Sequence, residues 1–161
     1  KVHISNEIDY DFIGKSATGL KYNISFELIT AELPFGETAP RDIVLTGGAI
    51  PYRGTAALSQ LEVPYIVELT ASASQTNFFL EIDGRRWIYN HASTPIKEGD
   101  KLRLSGVENV IYKGMALPDL NINIRTNYEY FVIRPNPQKQ VRYSTDFRGT
   151  IKILSFKELY K

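Results

Sequence analysis

The 161-residue sequence has no cysteine, one methionine, one tryptophan and two histidines. Without cysteine there is no disulfide, no thiol nucleophile and no Cys-based zinc site. The histidines, His3 and His91, stand far apart in the chain. No nucleophile elbow, His-Glu-x-x-His run or paired-carboxylate motif accompanies either of them. Gly14-Lys15-Ser16 ends like a P-loop, but Asp9 stands where its first glycine is required. No apolar run approaches the roughly 18–20 residues of a membrane helix. No secretory signal pattern is present, and a chain that starts at Lys1 excludes no leader. These absences point away from an enzyme, a resident metal or cofactor, and a membrane-spanning helix.

What is abundant is aromatic and apolar. Hydrophobic residues make up 43% and aromatics 12%, which favours a folded globule over disorder. Blocks of strong helix formers are missing and β-branched and aromatic residues are common, so the composition favours strands. We therefore expect an all-β chain, one domain over residues 1–161, of mostly antiparallel strands with little helix.

The clearest local signal is Phe78-Phe79-Leu80-Glu81-Ile82-Asp83-Gly84-Arg85-Arg86-Trp87-Ile88-Tyr89. Asp-Gly between alternating apolar runs predicts a type I′ hairpin, because that turn needs φ > 0 at both central residues. The two-residue loop fixes a register in which Leu80 opposes Trp87, Glu81 opposes Arg86 and Phe78 opposes Tyr89. One face then carries Phe78, Leu80, Trp87 and Tyr89, and the other carries Phe79, Ile88 and the Glu81–Arg86 pair. This hairpin opens a run of predicted strands between Asn77 and Pro135, the last two being Leu120–Ile124 and Tyr128–Ile133.

Elsewhere, Leu20, Tyr22, Ile24, Phe26 and Leu28 alternate with polar residues in the longest period-two run. Val2–Ile4 and Ile8–Phe12 predict strands before it, the second ending at Gly14. Ile43–Leu45, Tyr65–Ala73, Lys101–Leu104 and Thr150–Leu154 predict further strands, and Gly106 a bulge or bend. Ser155–Lys161 fits a last helical turn. The segment Val63–Arg134 resembles the strand plan of an OB-fold barrel. It has a long strand, a hairpin, then Glu98-Gly99-Asp100-Lys101-Leu102-Arg103-Leu104-Ser105-Gly106, where a Gly-Asp turn leads into a strand bent at glycine. The resemblance implies an OB-like barrel with extra N-terminal strands; a β-sandwich accounts for the whole length equally well.

The net charge of +1 conceals an asymmetry. Residues 1–84 hold 5 Lys/Arg against 11 Asp/Glu, and residues 85–161 hold 14 against 7. Opposed halves favour self-association or an anionic partner for the basic half. Glu7, Asp9 and Asp11 share one face of a strand, where like charges discourage pairing with other chains more readily than they bind a cation.

Two functions follow as expectations. The first is a non-catalytic protein-interaction or structural module, a subunit or accessory protein of a larger complex such as a virion, tail, appendage or surface assembly, with a protein partner or self-association. The second is a single-stranded nucleic-acid-binding protein with an OB-like face. There Arg85, Arg86, Arg103 and Lys113 would meet phosphates, and Phe79 and Tyr112 would stack on bases. A secreted carbohydrate-binding module using Trp87 ranks below both.

Overall fold

The computed structural model describes residues 2–4, 9–25, 28–30, 36–106, 109–112, 120–121 and 125–161. Side chains are described for 10–15, 17–25, 36–106 and 125–161. The protein is all-β: every strand pairing is antiparallel, and no α-helix occurs among the described residues. Two compact units divide the chain, Lys1–Phe35 and Gly36–Lys161.

The first unit is built from two nested ladders. β1 (Val2–Ile4) pairs with β4 (Leu28–Thr30), and inside them in sequence β2 (Asp9–Ser16) pairs with β3 (Gly19–Ser25). The inner ladder sets Tyr10 against Ile24, Phe12 against Tyr22 and Lys15 against Leu20, with Ile13 the extra residue of a bulge. β2 continues two residues past Gly14, because the bulge absorbs the irregularity and pairing resumes beyond it.

The second unit is sandwich-like. Its larger sheet has the order β14-β13-β12-β9-β17-β6, comprising Leu120–Asn121, Asn109–Tyr112, Lys101–Leu104, Ile66–Ala71, Gly149–Phe156 and Arg41–Val44. The smaller has the order β11-β10-β16-β7, comprising Arg85–Asn90, Asn77–Ile82, Gln140–Thr145 and Ala49–Pro51. Short pairs of β8 (Leu58–Ser59) with β15 (Val132–Ile133) and of β5 (Gly36–Glu37) with β18 (Leu159–Tyr160) complete it. The strands of Val63–Arg134 are thus split over two sheets, and each sheet is completed by strands from outside that segment. The barrel of the OB resemblance is not closed.

The hairpin β10–β11 has the register its sequence dictates, from Asn77 opposite Asn90 to Ile82 opposite Arg85. Asp83 and Gly84 have φ of 51° and 78°, as a type I′ turn requires. Phe78, Leu80, Trp87 and Tyr89 are all buried. Phe78 is stacked on Tyr89 with ring centroids 5.3 Å apart, and it also meets Phe147 at 4.9 Å. Val67, Leu69, Leu102, Leu104, Ile151 and Ile153 supply the buried face of the larger sheet.

The chain passes from β16 in one sheet to β17 in the other through Asp146–Arg148. Two side chains fix this corner to distant strands. Asp146 Oδ1 accepts the Phe79 amide at 2.7 Å, and buried Gln75 accepts the Arg148 amide at 2.7 Å while donating to its carbonyl at 2.9 Å. A Cβ at Gly149 would run into the Thr70 carbonyl and the Phe147 ring, so only glycine fits where β17 comes alongside β9. Gln60 does the same work on the other side of the core. Its amide donates to the Leu104 and Tyr65 carbonyls and accepts from the Phe131 amide at 2.8 Å, tying three stretches of backbone together.

Two local expectations are corrected, and one strand arises where none is expected. Ser155–Lys161 is not helical: it ends β17 and forms β18, held by β5 from the other end of the unit. Tyr128–Ile133 is a strand only at Val132–Ile133. Before that, Asn127 Oδ1 accepts the Ile88 amide at 2.9 Å and Nδ2 donates to the Arg86 carbonyl at 2.7 Å. One side chain thereby covers the edge of β11 that a strand would otherwise have paired. Finally, Gln140–Thr145, which lacks a strong strand pattern, is an internal strand of the smaller sheet. Residues 122–124 of the predicted strand Leu120–Ile124 lie outside the described residues.

Candidate functional site

Six of the nine exposed large hydrophobic side chains among the described residues belong to the inner ladder of the first unit. Because strand side chains alternate, Tyr10 and Phe12 on β2 share a face with Leu20, Tyr22 and Ile24 on β3. Asp11, Lys21 and Asn23 lie on the opposite face. Both Tyr10 and Phe12 contact the Tyr22 ring edge-on, at 6.4 and 5.5 Å between centroids. Yet the apolar face is open to solvent: Tyr10 is 70% exposed, Phe12 59%, Leu20 58%, Tyr22 48% and Ile24 63%. Ile13 in the bulge adds a further exposed side chain. Contiguous apolar surface of this kind marks interaction sites, whereas scattered exposed hydrophobics carry no such meaning.

The residues singled out in the sequence for nucleic acid are placed less favourably. Arg85 and Arg86 are successive residues of β11 and therefore point to opposite faces. Arg85 is ion-paired to Glu129 at 2.8 Å and lies over the Tyr130 ring at 4.3 Å. Arg86 is ion-paired to Glu81 at 2.7 Å and covers the Phe79 ring at 4.3 Å, so that ring is not an open stacking platform. Arg103 belongs to the other sheet, where it pairs with buried Glu68 of the neighbouring strand at 2.8 Å. Tyr112 pairs with Lys101 through the backbone of β13, its side chain lying outside the described residues, as does Lys113 altogether. Phe79 and Arg86 are brought together; Arg103 is not brought to them.

Trp87 is fully buried. The carbohydrate reading loses the one side chain on which it rested, because no ring face is left for a sugar. Its indole N–H has no hydrogen-bond partner among the described residues. Of the acidic triplet, Glu7 and the Asp9 side chain lie outside the described residues. His91 is in a loop with Ser93 Oγ 3.4 Å from Nδ1.

A groove of about 960 Å³ runs across the smaller sheet between the Gly47-Gly48 and Asp83-Gly84 turns, with Arg142 and Ser144 among its lining residues. Two of its polar side chains already hold the walls together. Asp83 accepts from the backbone and guanidinium of Arg134 at 3.1 Å, and Asn136 bridges to Gln140. Phenols in the interior are likewise committed to structure. Burial raises the pKa of Tyr65 far above the ordinary value for a phenol, and its hydroxyl donates to the Phe131 carbonyl at 3.0 Å. Burial also raises Tyr52 and Tyr89, whose hydroxyls donate to the Ala56 and Thr94 carbonyls.

No protein-family model matches this chain, and no curated protein is significantly similar to it. The open apolar face was missed in the sequence for a definite reason. The alternation of Leu20 to Leu28 is the same whether the apolar face is covered or bare, and the pattern reports only which side chains share a side.

Proposed function

We propose that this protein is a non-catalytic assembly module, a structural or accessory subunit that works by docking onto other protein. The exposed apolar face of β2–β3 carries the proposal. An isolated two-stranded hairpin is marginal in water and gains stability when its apolar face is packed against something else. The face offers three aromatic rings, the residue types that dominate protein contacts. Acidic and basic halves of the chain add long-range attraction between molecules.

Size-exclusion with light scattering tests this reading. The full chain is expected to exceed monomer mass as concentration rises, or to form a stoichiometric complex with its partner. The double variant Phe12→Lys/Tyr22→Lys is expected to stay monomeric with an unchanged thermal transition for the second unit. A wild-type chain that remains monomeric at all concentrations and takes no partner in pull-downs would overturn it.

Nucleic acid is the second reading. The half-exposed Arg86 guanidinium supports it as a phosphate contact, while its neighbour Phe79 lies under that guanidinium and is not open to a base. Oligonucleotide titration at two salt concentrations decides: backbone contacts require tighter binding at low salt, and no binding there ends this reading.

A further inference from the structure

We propose that the partner of the β2–β3 arm is the same arm of a second copy of this chain, packed apolar face to apolar face with the strands of the two copies antiparallel. The inference rests on the assembly reading and names its occupant. A two-fold axis near the Phe12–Tyr22 pair would bring these two aromatic side chains against their own symmetry mates. It would set Tyr10 and Ile24, towards the open end of one arm, over Leu20 and the turn end of the other.

Two properties of the arm fit a copy of itself. The first is area. Exposed side chains of this size each offer on the order of 100 Å², so the six exposed apolar residues offer roughly 600 Å² per copy. Two copies together then reach roughly 1,200 Å², the lower end of the range for a stable specific interface. The second is charge. Lys15 lies on the apolar face at the turn end of the ladder, whereas Lys21 and Asp11 lie on the polar face, outside the contact. Antiparallel packing holds the two Lys15 ammonium groups at opposite ends of the contact, whereas parallel packing stacks one on the other. Lys15 is opposite Leu20 on the apolar face itself, so its ammonium group is at the rim of the contact, where a charge keeps its water.

The absence of cysteine makes the test clean, since any introduced thiol is the only one in the chain. Leu20→Cys, Ile24→Cys and, on the polar face, Asn23→Cys are treated with a short bismaleimide, alone and as mixtures. Each variant is first checked for wild-type mass by light scattering. The expected result is efficient cross-linking in the Leu20→Cys plus Ile24→Cys mixture, little in either alone, and none for Asn23→Cys. Ile24→Cys linking mainly to itself would contradict the antiparallel arrangement. A wild-type dimer in which neither Leu20→Cys nor Ile24→Cys links would overturn arm pairing while leaving the assembly reading standing. A wild-type chain that is monomeric and takes no partner would remove both.

Discussion

Trp87 stands directly opposite Leu80 across the β10–β11 ladder, and both side chains are fully buried. The indole packs against Phe78 at 5.9 Å and joins the aromatic group completed by Tyr89 and Phe147. Trp87→Ala is therefore expected to cost about 3–5 kcal/mol through lost burial and the cavity left behind. Trp87→Phe should cost clearly less, because it keeps an apolar ring and removes a buried N–H that has no partner. Denaturant melts of the two variants check the order.

Gly84 sits at φ 78° with open space around the position of a Cβ. Crowding is therefore not the obstacle to substitution; backbone conformation is. Gly84→Asn should be tolerated best, and Gly84→Val should cost about 1–2 kcal/mol, the penalty of a Cβ in the left-handed region, or somewhat more for its branching. Equal stability of the two variants would contradict the type I′ turn.

Arg86 and Arg103 look alike in the sequence but are expected to differ on mutation. Arg86 is half-exposed and pairs with a partly exposed Glu81, so Arg86→Ala should change stability by no more than about 1 kcal/mol. Arg103 partners Glu68, whose side chain is only 8% exposed. Removing that guanidinium leaves a buried carboxylate short of a donor, at about 1–3 kcal/mol. Paired chemical melts of Arg86→Ala and Arg103→Ala measure the difference.

Buried phenols predict how the fold fails in alkali. Burial raises the folded pKa of Tyr65, while in the unfolded chain its hydroxyl titrates near the ordinary 10. Folding thus favours the protonated form, and this contribution is complete below about pH 10 and is lost as pH rises beyond it. Tyr65→Phe should cost about 0.5–1.5 kcal/mol at neutral pH for its hydrogen bond to Phe131. It should also shift alkaline unfolding to higher pH, as followed by circular dichroism between pH 9 and 12.

Much of the fold is legible where local rules suffice. The β10–β11 register follows from Asp83-Gly84 alone, because the turn and the alternation on either side agree. Local rules fail where a partner is distant in sequence. Gln140–Thr145 is a strand because β10 and β7 flank it, not because its own residues demand one. Leu159–Tyr160 likewise pairs with residues at Gly36–Glu37. Asn127 takes the place of the first part of the expected strand Tyr128–Ile133 by supplying with its amide the hydrogen bonds of a neighbouring backbone. The candidate site divides in the same way. Phe79 and Arg86 are neighbours across a hairpin, so their contact could be foreseen. The carboxylates that pair with Arg85 and Arg103 come from elsewhere in the chain, and nothing near either arginine announces them.

On the proposed function, the apolar face of β2–β3 is covered by another molecule when the protein works. Hydrogen–deuterium exchange of the full chain across a hundredfold range of concentration measures this most directly. The amides of Asp9–Ser25 are expected to gain protection as concentration rises, while those of β9 and β10 stay equally slow throughout. Arm amides that exchange at the same fast rate at every concentration, and with every partner tried, would contradict it.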